Sequence, residues 1–259
     1  MIYKLIVRPV LFLLPPEFSH NIALLLVKLF HKIPFVSSFF QYLYCIKDVS
    51  LQRSFFGLTF KNPVGLAAGF DKNAEVFNEF ADFGFGFIEI GTVTPIAQTG
   101  NIKPRLFRIK NDSAIINRMG FNNDGIEMVV KRLRHKYKDV IIGGNIGKNK
   151  NTLNINAVND YLQCFQKIAP HVDYLVLNIS SPNTPGLVQL QEESYLSNLL
   201  HQVQTLNLSS FNKPILIKIS PDLSFEQIDK VLELIDKFQV SGIIATNTTT
   251  KIKEEKIHH

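Results

Sequence analysis

The stretch DYLVLNISSPNTPGL (173–187) joins a continuous apolar run, 174–177, to a loop with two serines, two asparagines and two prolines within ten positions. An apolar run of this length that stops at such a loop reads as a strand buried on both faces of a parallel sheet. The same pattern recurs in PVGLAAG (63–69), FIEIGTV (87–93), VIIGGNIG (140–147), ILIKIS (215–220) and GIIATNT (242–248). Between these runs, NAEVFNEFADF (73–83), GIEMVVKRLRHKY (125–137), NDYLQCFQKIAP (159–170), ESYLSNLLHQVQTL (193–206) and SFEQIDKVLELIDKF (224–238) read as amphipathic helices. Strands alternating with helices define an α/β fold.

Every strand runs into a polar or Gly-rich loop. Asp71, Thr92, Asn145, Asn178, Ser181, Lys218, Thr246 and Asn247 therefore fall at or just beyond the carboxyl ends of strands. A (β/α)8 TIM barrel builds its active site at that rim. A dinucleotide-binding sheet uses the same end but wants G-x-G-x-x-G after its first strand, and GLAAGFDKN (65–73) is not that motif. The expected fold is the TIM barrel. Six strand signals precede the polar end KIKEEKIHH, so the barrel is expected to be incomplete, short of its last two units; an open six-stranded sheet is the alternative.

With 259 residues, 46% of them hydrophobic, the chain can bury a substantial core. Cys45 and Cys164 fit neither a metal-ligand spacing nor a disulfide framework, which favours a reducing compartment and leaves redox work to a cofactor. Much of the net charge of +6 sits at the N-terminus, where residues 1–47 carry Lys4, Arg8, Lys28, Lys32 and Lys47 against Glu17 alone. These cations are interleaved with Leu, Val and Phe, which fits an anionic membrane surface better than nucleic acid. A plain solvated basic face is the bland reading.

Between residues 19 and 30, Ile22, Leu25, Leu26, Leu29 and Phe30 recur at helical spacing, with Ser19 or Asn21 as the expected N-cap. With IVRPVLFLL (6–14) before it, this helix forms an appendage joined by residues 35–50 to the rest. Its apolar face either packs on the main domain or meets a membrane. VLFLL stops at Pro15 and IALLLV runs into Lys28, both short of the roughly 20 apolar residues a bilayer span requires. No small-residue cleavage site follows, so a signal peptide is a poor fit.

Taken together and in order, GLAAGFDKN, EIGTVTP, KPRLFR, INRMGFNN, GGNIGKNK, LNISSPNTPGL, IKISPDL and ATNTT resemble the dihydroorotate dehydrogenases. These are FMN-dependent barrel enzymes of pyrimidine synthesis. The catalytic base is cysteine in the soluble class and serine in the membrane-associated class that passes electrons to quinone; here the matching position is Ser181. The resemblance therefore implies oxidation of dihydroorotate to orotate, with FMN as hydride acceptor and quinone as final acceptor. It also implies that residues 1–46 form a quinone-access and membrane extension, and residues 47–259 a truncated FMN barrel. A peripheral site on the cytoplasmic face of a bacterial membrane follows, or the mitochondrial inner membrane in a eukaryote. Another FMN-dependent pyrimidine oxidoreductase and an inactive truncated fragment are the alternatives.

The oxidation removes a proton from C5 and a hydride from C6, so a base must face one side of the ring and a flavin the other. Ser181 matches the base, although a serine hydroxyl is a weak one and needs hydrogen-bonded partners or a water relay. Alone, it would read as a turn serine. Asn117, Asn178, Asn183 and Asn247 match the substrate clamp, offering donors and acceptors to the orotate ring without adding charge. Lys72 matches a lysine whose charge opposes the orotate carboxylate, and Arg118, Met119, Gly120, Phe121 and Thr248 fall in the substrate-side motifs. On the flavin side the resemblance implies Ala68, Gly69, Thr92, Asn145, Asn178, Thr246 and Lys218.

Lys218 interrupts an otherwise apolar strand and needs a partner. The resemblance supplies the reduced flavin; a buried ion pair with a nearby acid is the other reading. A serine hydrolase is disfavoured, because no G-x-S-x-G surrounds Ser181. The Gly-rich loops that hold phosphate after strands seven and eight of such barrels are not among these residues, so tight flavin retention is in question.

Overall fold

The computed structural model describes residues 3–251; the polar end, residues 252–259, lies outside the described residues. A π-helical turn (Tyr3–Val7) runs into α1 (Arg8–Phe12), followed by α2 (Pro16–Phe30) and α3 (Val36–Tyr44). An antiparallel ribbon, β1 (Arg53–Phe55) and β2 (Leu58–Phe60), leads to β3 (Gly65–Leu66), α4 (Phe77–Phe80) and β4 (Phe87–Val93). A second ribbon follows, β5 (Leu106–Ile109) and β6 (Ala114–Asn117). The chain then alternates through α5 (Ile126–Leu133), β7 (Ile141–Ile146), α6 (Ala157–Ile168), β8 (Tyr174–Asn178), α7 (Glu193–Ser210), β9 (Ile215–Ile219), α8 (Phe225–Lys237) and β10 (Gly242–Ala245).

Six strands form one parallel sheet in the order β3, β4, β7, β8, β9, β10, curled into a half-barrel whose edges are β3 and β10. The outward faces of these strands are apolar because helices cover them: Ile88, Ile90, Ile142, Leu175, Leu177, Ile215 and Ile217 are buried. Helix α6 meets them with Tyr161, Cys164, Phe165 and Ile168, spaced so that all four fall on one face. Each such aliphatic or aromatic side chain contributes about 1.5–3 kcal/mol by leaving water. Helix α8 starts at a capping box, in which Ser224 Oγ accepts from the Gln227 N–H and the Gln227 side chain accepts from the Ser224 N–H.

Local expectations fail where tertiary contacts intervene. The segment 73–83 is helical only over Phe77–Phe80 and a following 3-10 turn, because the Asp71 carboxylate ties the Glu75 and Val76 N–H groups into a loop. Helix α2 begins at Pro16, whose fixed φ suits the first helical turn, so neither Ser19 nor Asn21 is its cap. Ser19 lies inside the helix, where its hydroxyl donates to Leu11 O at 2.7 Å. The joining segment 35–50 contains a third helix, α3. Neither two-stranded ribbon was anticipated from the sequence.

Helices α2 and α3 are fastened to the barrel by polar contacts. Asp82 accepts from Ser37 Oγ at 2.7 Å, Gln41 Nε2 at 2.6 Å and Lys138 Nζ at 2.8 Å. Leu24 and Val27 of α2 pack on the core, whereas Leu25, Leu26, Leu29 and Phe30 are exposed. Most of the apolar face predicted from the sequence thus points away from the barrel.

Candidate active site

The C-terminal ends of the strands and the loops beyond them enclose a cavity of about 900 Å³ that extends beneath α1 and α2. Its barrel end is lined by Ala68, Gly69, Lys72, Thr92, Asn117, Met119, Gly120, Phe121, Asn178, Ser181, Asn183, Lys218, Thr246, Asn247 and Thr248. Two residues singled out in the sequence do not line it. Asn145 lies one layer below, fully buried. Arg118 turns outward, donating to Pro104 O at 2.8 Å and lying over the Phe107 ring.

Amide side chains hold one another in place around the cavity. Asn183 Nδ2 donates to Asn117 Oδ1 at 3.2 Å, and Asn247 Nδ2 donates to Ser180 Oγ at 3.1 Å. Asn178, at the end of β8, donates to Thr92 Oγ1 at 2.8 Å and accepts from Ser180 through its Oδ1. Thr92 in turn donates to Asn145 Oδ1 at 2.6 Å. Ser181 is buried beside them and accepts from the Asn183 N–H at 3.4 Å.

Residues 50–259 match the family model for dihydroorotate dehydrogenase. The chain belongs to the dihydroorotate dehydrogenase family. It is 52% identical over 248 residues to a dihydroorotate dehydrogenase (quinone) of Christiangramia forsetii, covering 95% of this chain and 73% of that one. It is 46% identical over 249 residues to the Idiomarina loihiensis protein of the same name, covering 94% and 73%. A ligand-free dihydroorotate dehydrogenase structure from Eimeria tenella superposes with a TM-score of 0.81 at 36% identity, over 93% of this chain and 71% of that one. These similarities group the chain with the class 2 dihydroorotate dehydrogenases, which are oxidoreductases, and it spans 73% of the length of those two curated relatives.

The electrostatics of this cavity are set mainly by burial. Burial, and then the charge of Arg105, pull the Lys72 ammonium down to about 8, with Glu17 opposing; Lys72 Nζ donates to Asn122 Oδ1 at 2.8 Å. Burial pushes the adjacent Asp71 carboxyl up to about 6, although two backbone N–H groups bond it. Lys218 makes no ion pair within 4.0 Å among the described residues.

Several residues in and around this cavity were not singled out from the sequence. Glu89, in the middle of β4, carried a visible signal, a charge inside an apolar run like that of Lys218. Asn122 and Thr184 carried none beyond lying in the matched motifs. Thr184 Oγ1 is buried with no hydrogen-bond partner among the described residues, three positions after Ser181. Beneath α2, His20 and Arg108 line the far part of the cavity, and Arg108 donates to Ser19 Oγ at 2.9 Å.

Proposed function

We propose that this chain oxidises dihydroorotate to orotate in pyrimidine biosynthesis, with FMN as cofactor and a quinone as final electron acceptor. The observation that carries the reading is one continuous cavity, in which Ser181 and the asparagines lie at one end and Tyr3, Leu11, Phe12, Ala23 and Leu24 of the N-terminal helices at the other. A polar pyrimidine acid suits the first end and an apolar quinone the second.

The residues present fit the isoalloxazine of FMN. At Gly69 (φ +101°) no atom lies within 4 Å of where a Cβ would point, so a flat ring can approach the backbone there. Lys218 brings an ammonium with no carboxylate in contact, and Thr92, Asn178 and Thr246 offer hydrogen bonds to a heterocycle's edge. FMN, when bound, supplies the acceptor for the hydride that leaves C6. Asn117, Asn178, Asn183 and Asn247 bind the ring edge of dihydroorotate, and Lys72 opposes its carboxylate. Ser181 Oγ takes the C5 proton, and the unpartnered Thr184 hydroxyl is a group that can pass it on.

Residues 1–46 serve as the quinone-access part and residues 47–259 as the catalytic part. Leu13, at 85% exposure, and Phe35, at 86%, head an apolar surface on α1–α3 that suits peripheral contact with an anionic membrane on its cytoplasmic side. No helix among the described residues is long and apolar enough to cross a membrane.

The test compares acceptors. The chain purified with FMN and supplied with dihydroorotate should reduce a quinone faster than fumarate or NAD. A preference for either soluble acceptor, or no dihydroorotate-dependent reduction of any, would refute the assignment.

A further inference from the structure

Lys148 is a buried cation to which the chemistry above gives no role. It follows β7 by two residues, is 1% exposed and meets no carboxylate within 4.0 Å among the described residues. An ammonium taken out of water is tolerated only where acceptors surround it. Here those acceptors are backbone carbonyls: Lys148 Nζ donates to Thr152 O at 2.8 Å, in its own loop, and to Pro185 O at 3.4 Å, in the segment that carries Ser181. An ammonium has three donors and no acceptor, so one buried group can bond two loops at once.

The same loop makes a second contact of this kind. Asn154 Nδ2 donates to Gly186 O at 2.8 Å, so two consecutive carbonyls accept from side chains six positions apart in one loop. Gly186 has φ +67°, and a Cβ there would lie 3.1 Å from Asn154 Nδ2, so glycine both makes the turn and admits the amide. The loop is itself firmly seated: Asp160 of α6 accepts from the Asn149 N–H at 2.7 Å, and Asn149 Nδ2 donates to Ile96 O at 2.8 Å and Gln98 Oε1 at 2.9 Å. Helix α6 also holds the entry to the segment, where the Tyr161 hydroxyl donates to Asn178 O at 2.9 Å. Ser181 thus lies between two anchors, both supplied by the β7–α6 unit beside its own strand.

We infer that Lys148 and Asn154 are positioning residues: by holding the carbonyls of Pro185 and Gly186 they fix the segment from which Ser181 faces the cavity. Neither side chain lines that cavity, so each acts through the segment and not on the substrate. The grip belongs to the folded chain alone; its consequence for catalysis rests on Ser181 being the base, as proposed above.

Hydrogen–deuterium exchange of the purified chain, read by mass spectrometry, tests the grip without flavin or substrate. Lys148→Met keeps the apolar stem and removes the donors, and Asn154→Ala removes the second bond from a partly exposed position while leaving the lysine in place. In either variant the backbone N–H groups of residues 183–191 should exchange about tenfold faster, the scale of one lost hydrogen bond, while those of α6 and α8 keep the wild-type rate. Unchanged exchange over 183–191, or acceleration spread equally over α6 and α8, overturns the grip. Competitive acetylation reads the native lysine, so the test stands where Lys148→Met does not fold. Lys148 should react with acetic anhydride more slowly than the exposed Lys150, and faster in Asn154→Ala than in wild type. A Lys148 reactivity untouched by Asn154→Ala overturns the coupling.

In FMN-loaded chain, the two half-reactions separate positioning from general damage. Lys148→Met and Asn154→Ala should each slow flavin reduction by dihydroorotate roughly tenfold, as a displaced base would, and leave FMN content and reoxidation by quinone unchanged. Equal slowing of both half-reactions, or slowing of neither, overturns the positioning role. A wild-type chain without dihydroorotate-dependent flavin reduction counts against the catalytic reading alone, and exchange then decides the grip.

Discussion

Glu17 on α2 and Arg105, 88 residues later in the chain, form a partly buried ion pair: Arg105 Nη2 lies 2.7 Å from Glu17 Oε1, and Nε lies 3.2 Å from both carboxylate oxygens. The pair clamps the N-terminal helices over the cavity. Burial alone would raise the Glu17 carboxyl, but hydrogen bonding and charge from Arg105, joined by Lys103, hold it below its ordinary 4.5.

Glu17→Gln should therefore lower stability at pH 7 by about 2 kcal/mol, the scale of a hydrogen-bonded charge pair. A carboxyl group depressed in the folded state stabilises fully above its unfolded value and loses that contribution as pH falls through the folded one. Wild type and variant should differ at pH 7 and converge below pH 4.5. Urea denaturation at both ends of that range is the check, and a gap that persists in acid would contradict the clamp.

Ser181→Ala in FMN-loaded chain should slow turnover of dihydroorotate by about 10²–10⁴-fold, the usual contribution of a positioned base. The KM should change little and flavin content not at all. Near-normal turnover would remove Ser181 from the role of base.

In the role proposed for it, opposing the substrate carboxylate, Lys72 must be an ammonium, and burial followed by the charge of Arg105 brings its titration down to about 8. The kcat/KM for dihydroorotate should fall as pH rises past about 8. Lys72→Met should flatten that limb and raise KM by roughly ten- to a hundredfold, the loss of one charge-assisted bond. An alkaline limb that survives in Lys72→Met belongs to another group.

Paired substitution of the outward apolar residues, Leu13→Ser with Phe35→Asn, should weaken binding to anionic vesicles at least about tenfold by removing apolar area from the contact. Phe35 has φ +68°, where asparagine is better tolerated than phenylalanine, so melting should stay unchanged. Unaltered vesicle co-sedimentation would separate this surface from the membrane.

Gly143→Ala tests the barrel interior. A methyl group 2.2 Å from the Tyr174 ring must displace it, with a loss of about 1–3 kcal/mol. Combining it with Tyr174→Ala should recover part of that loss in a thermal melt; strict additivity would show that the ring is not what the methyl meets.

The large elements were legible because their signals are local. Continuous apolar runs such as 174–177 mark strands covered on both faces, and Tyr161, Cys164, Phe165 and Ile168 recur at a period only a helix satisfies. The ribbons β1–β2 and β5–β6 were not legible, since three- and four-residue strands with largely exposed side chains have no apolar alternation to read. The short α4 was overestimated because its helical pattern is overruled by Asp71, a residue outside it.

Residues such as Thr92, Asn178, Ser181 and Asn247 could be placed at the rim because each lies at or just beyond the end of a strand whose apolar run announces it, whereas Lys72, Asn117 and Arg118 were named only through the family resemblance. Which of them share a cavity could not: Asn145 sits under Thr92, and Arg118 points away, because strand register and loop packing set those directions. Pairs such as Glu17 with Arg105, or Glu89 with Tyr174 85 residues on, exist only after the sheet has curled, since no local spacing encodes a contact between residues that far apart. By itself the sequence determined the order of the six sheet strands with the helices between them, and the chemistry available at the rim. Tertiary structure alone decided which charges are buried together, because burial and proximity belong to the folded chain and not to any stretch of it.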